Sequence, residues 1–254
     1  MRFAIFQDSR IGARPYQQDR LGSWQTDQAL LMVVADGMGG HPRGDVAAQV
    51  AVRHLASAFQ RAAQPRLVDP HGFLVDSIAG AHRGIHQQAH ALGLPDIPRT
   101  TIVACVIQDG QASWAHVGDS RLYHIRHGSI HARTRDHTRV QALVDSGRIR
   151  EEAVGSHPDR SKLLQCLGSV SPPKLEPAAG VQLAKGDVIL LCSDGFWGPL
   201  TQRQMLTALV AKPLDVALSS LVSLAEASAG RQCDNVSVLG LAWHEEDIAG
   251  PESS

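Results

Sequence analysis

The sequence predicts a layered α+β domain, and three observations carry that prediction. Four stretches read as helices, one pair early and one pair late in the chain. Between them lie short β-branched and apolar runs separated by two-residue turns. Several of those runs are apolar throughout and stop abruptly at an aspartate beside a glycine. Helix pairs flanking runs of antiparallel strands can bury all of these faces if two sheets pack together with helices outside. The pattern alone leaves that arrangement open.

The elements follow in chain order. Ala29 to Ala35 is an apolar run ending at Asp36-Gly37, which reads as a buried strand entering a tight turn. From Arg43 to Phe59, Ala47, Val50, Ala51, Leu55 and Ala58 fall on one helical face. His54 shares that stripe and reads as a satisfied, partly buried histidine. A second helix is expected from Pro70 to Leu92, with Leu74, Ile78, Ala81, Ile85 and Leu92 in register. The period then changes. Thr101 to Gln108, the Asp109-Gly110 turn and Ala112 to Val117 read as a hairpin, and Arg121 to Arg126, His127-Gly128 and Ser129 to Thr134 repeat it. Gly186-Asp187 leads into a buried strand, Val188 to Cys192. Thr201 with Gln204 three residues on is a capping box that opens a helix. Leu214 to Ala229 carries Leu214, Leu218, Leu221, Val222 and Ala225 on one face, and Gly230 stops it. Val236 to Trp243 is the closing strand. Residues 1–244 are expected to form one domain, and Glu245 to Ser254 a flexible tail.

Composition narrows the functional classes. With 24 Lys and Arg against 25 Asp and Glu, the chain has no overall basic footprint for nucleic acid. The densest basic stretch, Arg133, Arg135 and Arg139, reads as a solvated face. The longest apolar run is far short of the roughly 20 residues that span a bilayer, and Met1 to Arg10 lacks the apolar core of a secretory signal. Cys105, Cys166, Cys192 and Cys233 have no C-x-x-C spacing, so packed, reduced thiols and a cytoplasmic location are expected. The cysteines also lack the C-x₅-R arrangement of a thiolate phosphatase.

Four aspartates share an unusual context. Asp36 ends one strand, Asp119 follows Val117-Gly118 at the end of another, Asp194 follows Val188 to Cys192, and Asp234 precedes the final strand. A carboxylate beside an apolar strand is costly to desolvate unless it is paired or coordinated. A single Asp-Gly after a strand is simply a turn. Four such sites would form, if the strand ends converge, a cluster suited to hard cations: Mg²⁺, Mn²⁺ or Ca²⁺ rather than zinc. Two such ions about 4 Å apart can generate a bridging hydroxide and stabilise in-line displacement at phosphorus. Arg14, with Asp19 five residues on, could clamp a phosphate.

Taken together, Arg14-x-x-Gln17-Gln18-Asp19, Val34-Ala35-Asp36-Gly37-Met38-Gly39-Gly40-His41, Thr100-Thr101, Val117-Gly118-Asp119-Ser120-Arg121, Asp136-His137-Thr138, Cys192-Ser193-Asp194-Gly195-Phe196-Trp197 and Asp234-Asn235-Val236-Ser237 resemble the PP2C (PPM) serine/threonine phosphatases, above all the short, single-domain bacterial members. The resemblance runs from about Ile11 to Leu241. It implies an αββα sandwich of two mainly antiparallel sheets flanked by helix pairs, with two Mn²⁺ or Mg²⁺ ions at one edge. It implies that Asp36 bridges both ions, that Asp194 and Asp234 complete the first site, that the Gly37 carbonyl binds the second, and that Asp19 acts through metal-bound water. Asp119, with Asp194, matches the position of a third, weaker ion. Arg14 would hold the substrate phosphate, and Ser193 and Asn235 would support the ligands.

His41 has two readings, a general acid for the leaving alkoxide or a histidine shaping the Gly39-Gly40 turn, and both stay open. Residues from about Val140 to Asp159 align with the flap over the active site of bacterial relatives. Gln17 stands where the family usually has Asn, and Arg99 where a Gly usually precedes the threonine pair. Asn235-Val236-Ser237 fits a glycosylation sequon but opens a core strand. The function implied is hydrolysis of phosphoserine and phosphothreonine in proteins by a monomer opposing a serine/threonine kinase, without nucleic-acid or membrane partners. The alternatives are a catalytically weak member that binds phosphoproteins and a small-molecule phosphohydrolase.

Overall fold

A computed structural model describes residues 1–38, 43–154, 157–175 and 178–244 of the 254-residue chain. Among the described residues, ten strands form two five-stranded sheets. One has the order β1 (Arg2–Arg10), β10 (Val236–His244), β9 (Val188–Cys192), β6 (Arg121–Arg126), β7 (Ser129–Arg133). The other has the order β2 (Arg20–Gln25), β3 (Ala29–Ala35), β4 (Ile102–Gln108), β5 (Gln111–Val117), β8 (Ala178–Gln182). Every strand pair is antiparallel. Helices α1 (Gly44–Ala62) and α2 (Pro70–Ala91) cover the second sheet. Helix α6 (Leu214–Ala229) covers the first, and α5 (Gln202–Ala211) packs beside it. Two shorter helices, α3 (Arg139–Asp145) and α4 (Asp194–Trp197), lie in the connections. The architecture is the αββα sandwich.

Strand β3 shows why the layers form. All seven of its residues are buried, because both faces are covered. Leu31, Val33 and Ala35 point toward α1 and α2, where they meet Ala51, Leu55, Ile78 and Ile85. Leu30, Met32 and Val34 point the other way and meet Ile189, Leu191, Leu239 and Leu241 of the facing sheet. A period of two therefore feeds two different cores. Each fully buried aliphatic side chain contributes about 1.5–3 kcal/mol. The third core lies beneath α5 and α6, where Leu218, Leu221 and Val222 meet Tyr123, Leu190 and Val238.

Turns and caps agree with local chemistry. Asp109 and Gly110, at φ 53° and 70°, make the left-handed pair that a two-residue hairpin demands, and His127 and Gly128 repeat it at 49° and 71°. The Thr201–Gln204 capping box is formed. In α2, Leu92 lies just past the last turn and is exposed, and Ala89 is the buried residue at that end. All four cysteines are free and buried. Among the described residues no helix is long and apolar enough to cross a membrane. Residues 245–254, expected to be a tail, lie outside the described residues.

The basic stretch is largely the solvated face expected, with Arg135 and Arg139 exposed and Arg133 more covered. Arg133 pairs with Glu151 at 2.8 Å, Arg139 with Asp159 at 3.4 Å, and Arg135 with Asp145. Each arginine thus meets an acid of the segment that the sequence assigns to the flap. That segment is tied at its base. Arg139 N–H donates to the Lys162 carbonyl and Leu164 N–H to the His137 carbonyl.

Candidate metal centre

Antiparallel pairing brings the acidic residues to one end of the sandwich. Asp36 and Asp119 follow β3 and β5, and Asp194 follows β9. Asp19 precedes β2 and Asp234 stands two residues before β10. Because β2 runs against β3 and β10 against β9, their starts lie where their neighbours finish. Five carboxylates from distant stretches of sequence thus meet at a common edge.

Electrostatics reports how close they are. Burial raises the Asp36 carboxyl well above the usual carboxylate range, and the charges of Asp19, Asp194, Asp119 and Asp234 push it further. Burial also raises Asp119, with Asp194 and Asp136 adding to it. Asp194 is raised by burial and by Asp234, against a hydrogen bond with Asp36 and the nearby charge of Arg14. Asp19 is pushed up to about 7 by burial, in spite of hydrogen bonds from Ser237 and Ser193. Like charges in a low-dielectric site cannot all ionise without a counter-charge.

The donor set fits hard divalent cations. It is all oxygen, and Asp19 Oδ1 is buried with no hydrogen-bond partner among the described residues. A buried orphan of this kind costs about 1–3 kcal/mol or more unless something meets it. Among the described residues no three acidic, histidine or cysteine side chains are already disposed about one point. The carboxylates are neighbours in charge rather than a preformed cage.

The backbone around them is tightly determined. Asp36 N–H donates to Thr101 Oγ1 at 3.1 Å, and its carbonyl accepts from Thr100 Oγ1 and Thr101 N–H, both at 2.8 Å. Gly37 bridges Thr100 in antiparallel fashion. It also packs against the backbone of Gly44 and Gln18 so closely that a methyl group there would overlap both. Gly118 has φ 104°, and Gly195 lies against the Asn235 carbonyl with no room for a side chain.

Side chains behind the acids hold them in place. Ser193 Oγ donates to Asp19 Oδ2 at 2.8 Å. Asn235 Oδ1 accepts from the Gln18 amide at 2.8 Å, and its Nδ2 donates to the carbonyls of Ile11 and Tyr16 at 2.9 and 3.0 Å. Asn235 therefore fastens the loop that carries Arg14 and Asp19 to the start of β10. It is buried at a strand start, so the sequon is structural. Trp197 Nε1 donates to the Asp119 carbonyl at 2.9 Å. The guanidinium of Arg121 lies 3.3 Å from the Trp197 ring centroid and is itself held by two bonds to Asp136, at 2.8 and 2.7 Å. Arg121, Asp136 and Trp197 were quoted in the sequence only as parts of motifs. Their support of Asp119 was not legible, since it depends on residues from three separate stretches of the chain meeting.

Arg14 is exposed and contacts Asp234 Oδ2 through Nη2 at 2.6 Å. It lines a cleft of about 440 Å³ with Asp119, Asp194, Trp197 and Asp234, and Val154, Arg160 and Ser161 close one side. Val154 belongs to the flap segment, and Arg160 and Ser161 follow it directly. Gln17 is fully engaged. Its Nε2 bonds Ser9 Oγ and the Arg10 carbonyl, and its Oε1 accepts from the Asp19 amide at 3.2 Å. Arg99 contributes its carbonyl to the Met38 amide at 3.0 Å, while its Nε is buried without a partner among the described residues. His41 lies outside the described residues.

Comparison with known proteins agrees with this geometry. Residues 7–222 match the family model of protein phosphatase 2C. The chain is 35% identical over 216 residues to the serine/threonine protein phosphatase PstP of Mycobacterium tuberculosis, covering 83% of this chain and 40% of PstP. A serine/threonine phosphatase structure from S. agalactiae superposes with a TM-score of 0.82 at 30% identity, covering 96% of this chain and all of that one. The catalytic domain of PstP in complex with two manganese ions superposes with a TM-score of 0.80 at 28% identity, over 96% and 99% of the two chains. The chain belongs to the protein phosphatase 2C family.

Proposed function

We propose that this protein hydrolyses phosphoserine and phosphothreonine in protein substrates, using two divalent ions, Mn²⁺ or Mg²⁺. One observation supports this most: Asp36 feels the charge of four further carboxylates at one sheet edge, with Arg14 at the rim of the same cleft. The two manganese ions of the PstP catalytic domain favour the same metals here. Asp36 would be shared between the ions, Asp194 and Asp234 would complete one site, and the Gly37 carbonyl and Asp19 would serve the other. Asp119, with Asp194, offers a third position. Bound ions would supply an activated water and neutralise charge on the phosphoryl oxygens.

The chain's own residues do the remaining work. Arg14 presents an exposed fork of N–H donors at the cleft, suited to a phosphate. Ser193 fixes one oxygen of Asp19 and leaves the other free to face a ligand. Asn235 sets the distance between the Arg14 loop and Asp234. The flap segment, about 140–159, bears on which peptides reach the cleft. His41 keeps its two readings. Opposition to a serine/threonine kinase, a monomeric state and a cytoplasmic location complete the proposal, the last on the four buried free thiols. Residues 1–244 would act as one domain.

The test is turnover of a phosphothreonine peptide with Mn²⁺ present and after exhaustive chelation. Activity that appears only with metal is the expected result. Full activity after chelation would overturn the mechanism.

A further inference from the structure

Away from the metal centre, a groove of about 650 Å³ follows the outer face of α1. Its lining repeats at helical spacing, Val46, Gln49, Val50, Arg53, Ser57 and Arg61, so the stripe extends about 22 Å at 1.5 Å per residue. Arg20 and Arg43 stand at one end, and Leu92, just past α2, adds an apolar residue to the lining. Four arginines face one acid, Asp45, which is paired with Arg43 at 3.4 Å. Arg20 is spent on the Gln17 and Asp19 carbonyls and on Gln49. Arg53 and Arg61 are exposed and make no ion pair or hydrogen bond among the described residues. His54 lies in the groove wall, where burial and the charges of Arg61 and Arg83 hold its pKa down, so the local field is positive.

One end of the groove lies beside residues that neighbour the metal centre. Gly44, the first residue of α1, packs on Gly37, and Arg20 Nη1 holds the Asp19 carbonyl at 2.7 Å. An extended chain advances about 3.3 Å per residue, so roughly seven residues would follow the stripe. The groove is too long for a single phosphate, and Arg53 and Arg61 are spaced about 12 Å along the axis of α1, or about four extended residues.

Resting on the phosphatase reading, we propose that this groove docks an acidic stretch of the phosphoprotein substrate, with carboxylates several positions from the phosphorylated residue meeting Arg53 and Arg61. Such contacts act mainly through substrate capture and weaken with salt. They predict a preference in KM rather than kcat.

The experiment uses the whole chain, wild type and the R53E/R61E double variant, with R53K/R61K as the charge-preserving control. Two readouts separate the two claims. Hydrolysis of a small aryl phosphate with Mn²⁺ tests the phosphatase reading alone, and all three proteins are expected to agree within about twofold. Fluorescence anisotropy of a labelled peptide bearing a four-aspartate run, against its serine-substituted counterpart, tests the groove without turnover. Wild type and R53K/R61K should bind the acidic peptide about three- to tenfold more tightly at low salt, and the difference should vanish at high salt. R53E/R61E should lose it, and a thermal melt matching wild type shows that the variant is folded. If it does not fold, R53Q/R61Q takes its place with the same expectation. Equal binding of the two peptides by wild type, or a preference that survives in the folded glutamate or glutamine variant, overturns the proposal. So does a single-stranded oligonucleotide that binds this groove more tightly than the acidic peptide. Loss of aryl phosphate hydrolysis in every protein counts against the phosphatase reading instead, and leaves the binding result to decide the groove.

Discussion

The guanidinium of Arg14 donates a hydrogen bond of 2.6 Å to the carboxylate of Asp234, across 220 residues of sequence. One is the proposed phosphate clamp and the other a proposed metal ligand. Both are partly exposed at the rim of the same cleft, so the arginine can reach a phosphate by a side-chain rotation rather than by moving backbone. A charge-assisted bond to phosphate contributes about 1.5–3 kcal/mol, which corresponds to roughly 10- to 100-fold. Arg14→Ala is therefore expected to raise KM for a phosphothreonine peptide by about that factor. Steady-state kinetics at saturating Mn²⁺ checks it, and an unchanged KM would remove Arg14 from substrate binding.

Asn235 makes three hydrogen bonds to the Ile11–Asp19 stretch, through Gln18, Ile11 and Tyr16. Asn235→Ala leaves the Gln18 amide and two carbonyls without that partner. The expected cost is about 1–3 kcal/mol, a fall in Tm of several degrees for a chain of this size. The same variant should need more Mn²⁺ for half-maximal activity, because Asp19 is no longer held against Ser193. A melt and a metal titration read the two effects separately.

The flap segment is pinned at both ends of its base and carries acids paired to Arg133, Arg135 and Arg139. Replacing residues 148–158 with a short Gly-Ser link is expected to change the ranking of phosphopeptides several-fold. Hydrolysis of an aryl phosphate should stay within about twofold. Equal loss on both substrates would assign the segment to the chemistry itself.

At the opposite end of β9 from Asp194, Asp187 gathers a second buried network. It accepts from His124 Nε2, from Arg126 Nε and Nη2, and from the Ala184 amide, at 2.7–2.9 Å. Burial alone would raise its carboxyl, but the bonds from Arg126, Ala184 and His124 outweigh that and hold it at about 2. The folded value lies below the unfolded one, so the stabilisation is present above about pH 4 and is lost as pH falls toward 2. It amounts to about 2 kcal/mol. Asp187→Asn should lower stability at pH 7 and flatten the acid limb of a pH–stability curve, as measured by urea unfolding. An unchanged acid limb would contradict this reading.

How much of this was legible in the sequence depends on where a residue sits. Strand β3 announced itself because both faces are covered and every residue is apolar. Strands β1, β2 and β8 did not. Each lies at the edge of a sheet, and β1 and β2 have no buried residue, so their sequences carry at most a short apolar run, Phe3 to Phe6 in β1, among polar residues. Strand β7 is also an edge, yet it was readable through the His127-Gly128 turn. Asp36, Asp119, Asp194 and Asp234 stood out because an aspartate beside a buried strand is costly without a partner, whereas Asp19 was legible only through the family resemblance. The resemblance gave Asn235 a supporting role, but its partners and the Trp197 contact were not legible, since those partners lie 78 to 224 residues away and only the packed sheets bring them together.

The central claim is that Asp36 organises divalent metal for phosphate hydrolysis. Asp36→Asn keeps the shape of the side chain and removes its charge, so one pair of measurements isolates that charge. Mn²⁺ binding by calorimetry and turnover of a phosphothreonine peptide would be compared for wild type and variant, with the melt confirming the fold. The account predicts that wild type binds Mn²⁺ and turns over only with it, and that the folded variant loses at least a hundredfold in turnover together with weakened Mn²⁺ binding. A folded Asp36→Asn protein that retains wild-type turnover and metal affinity would contradict it.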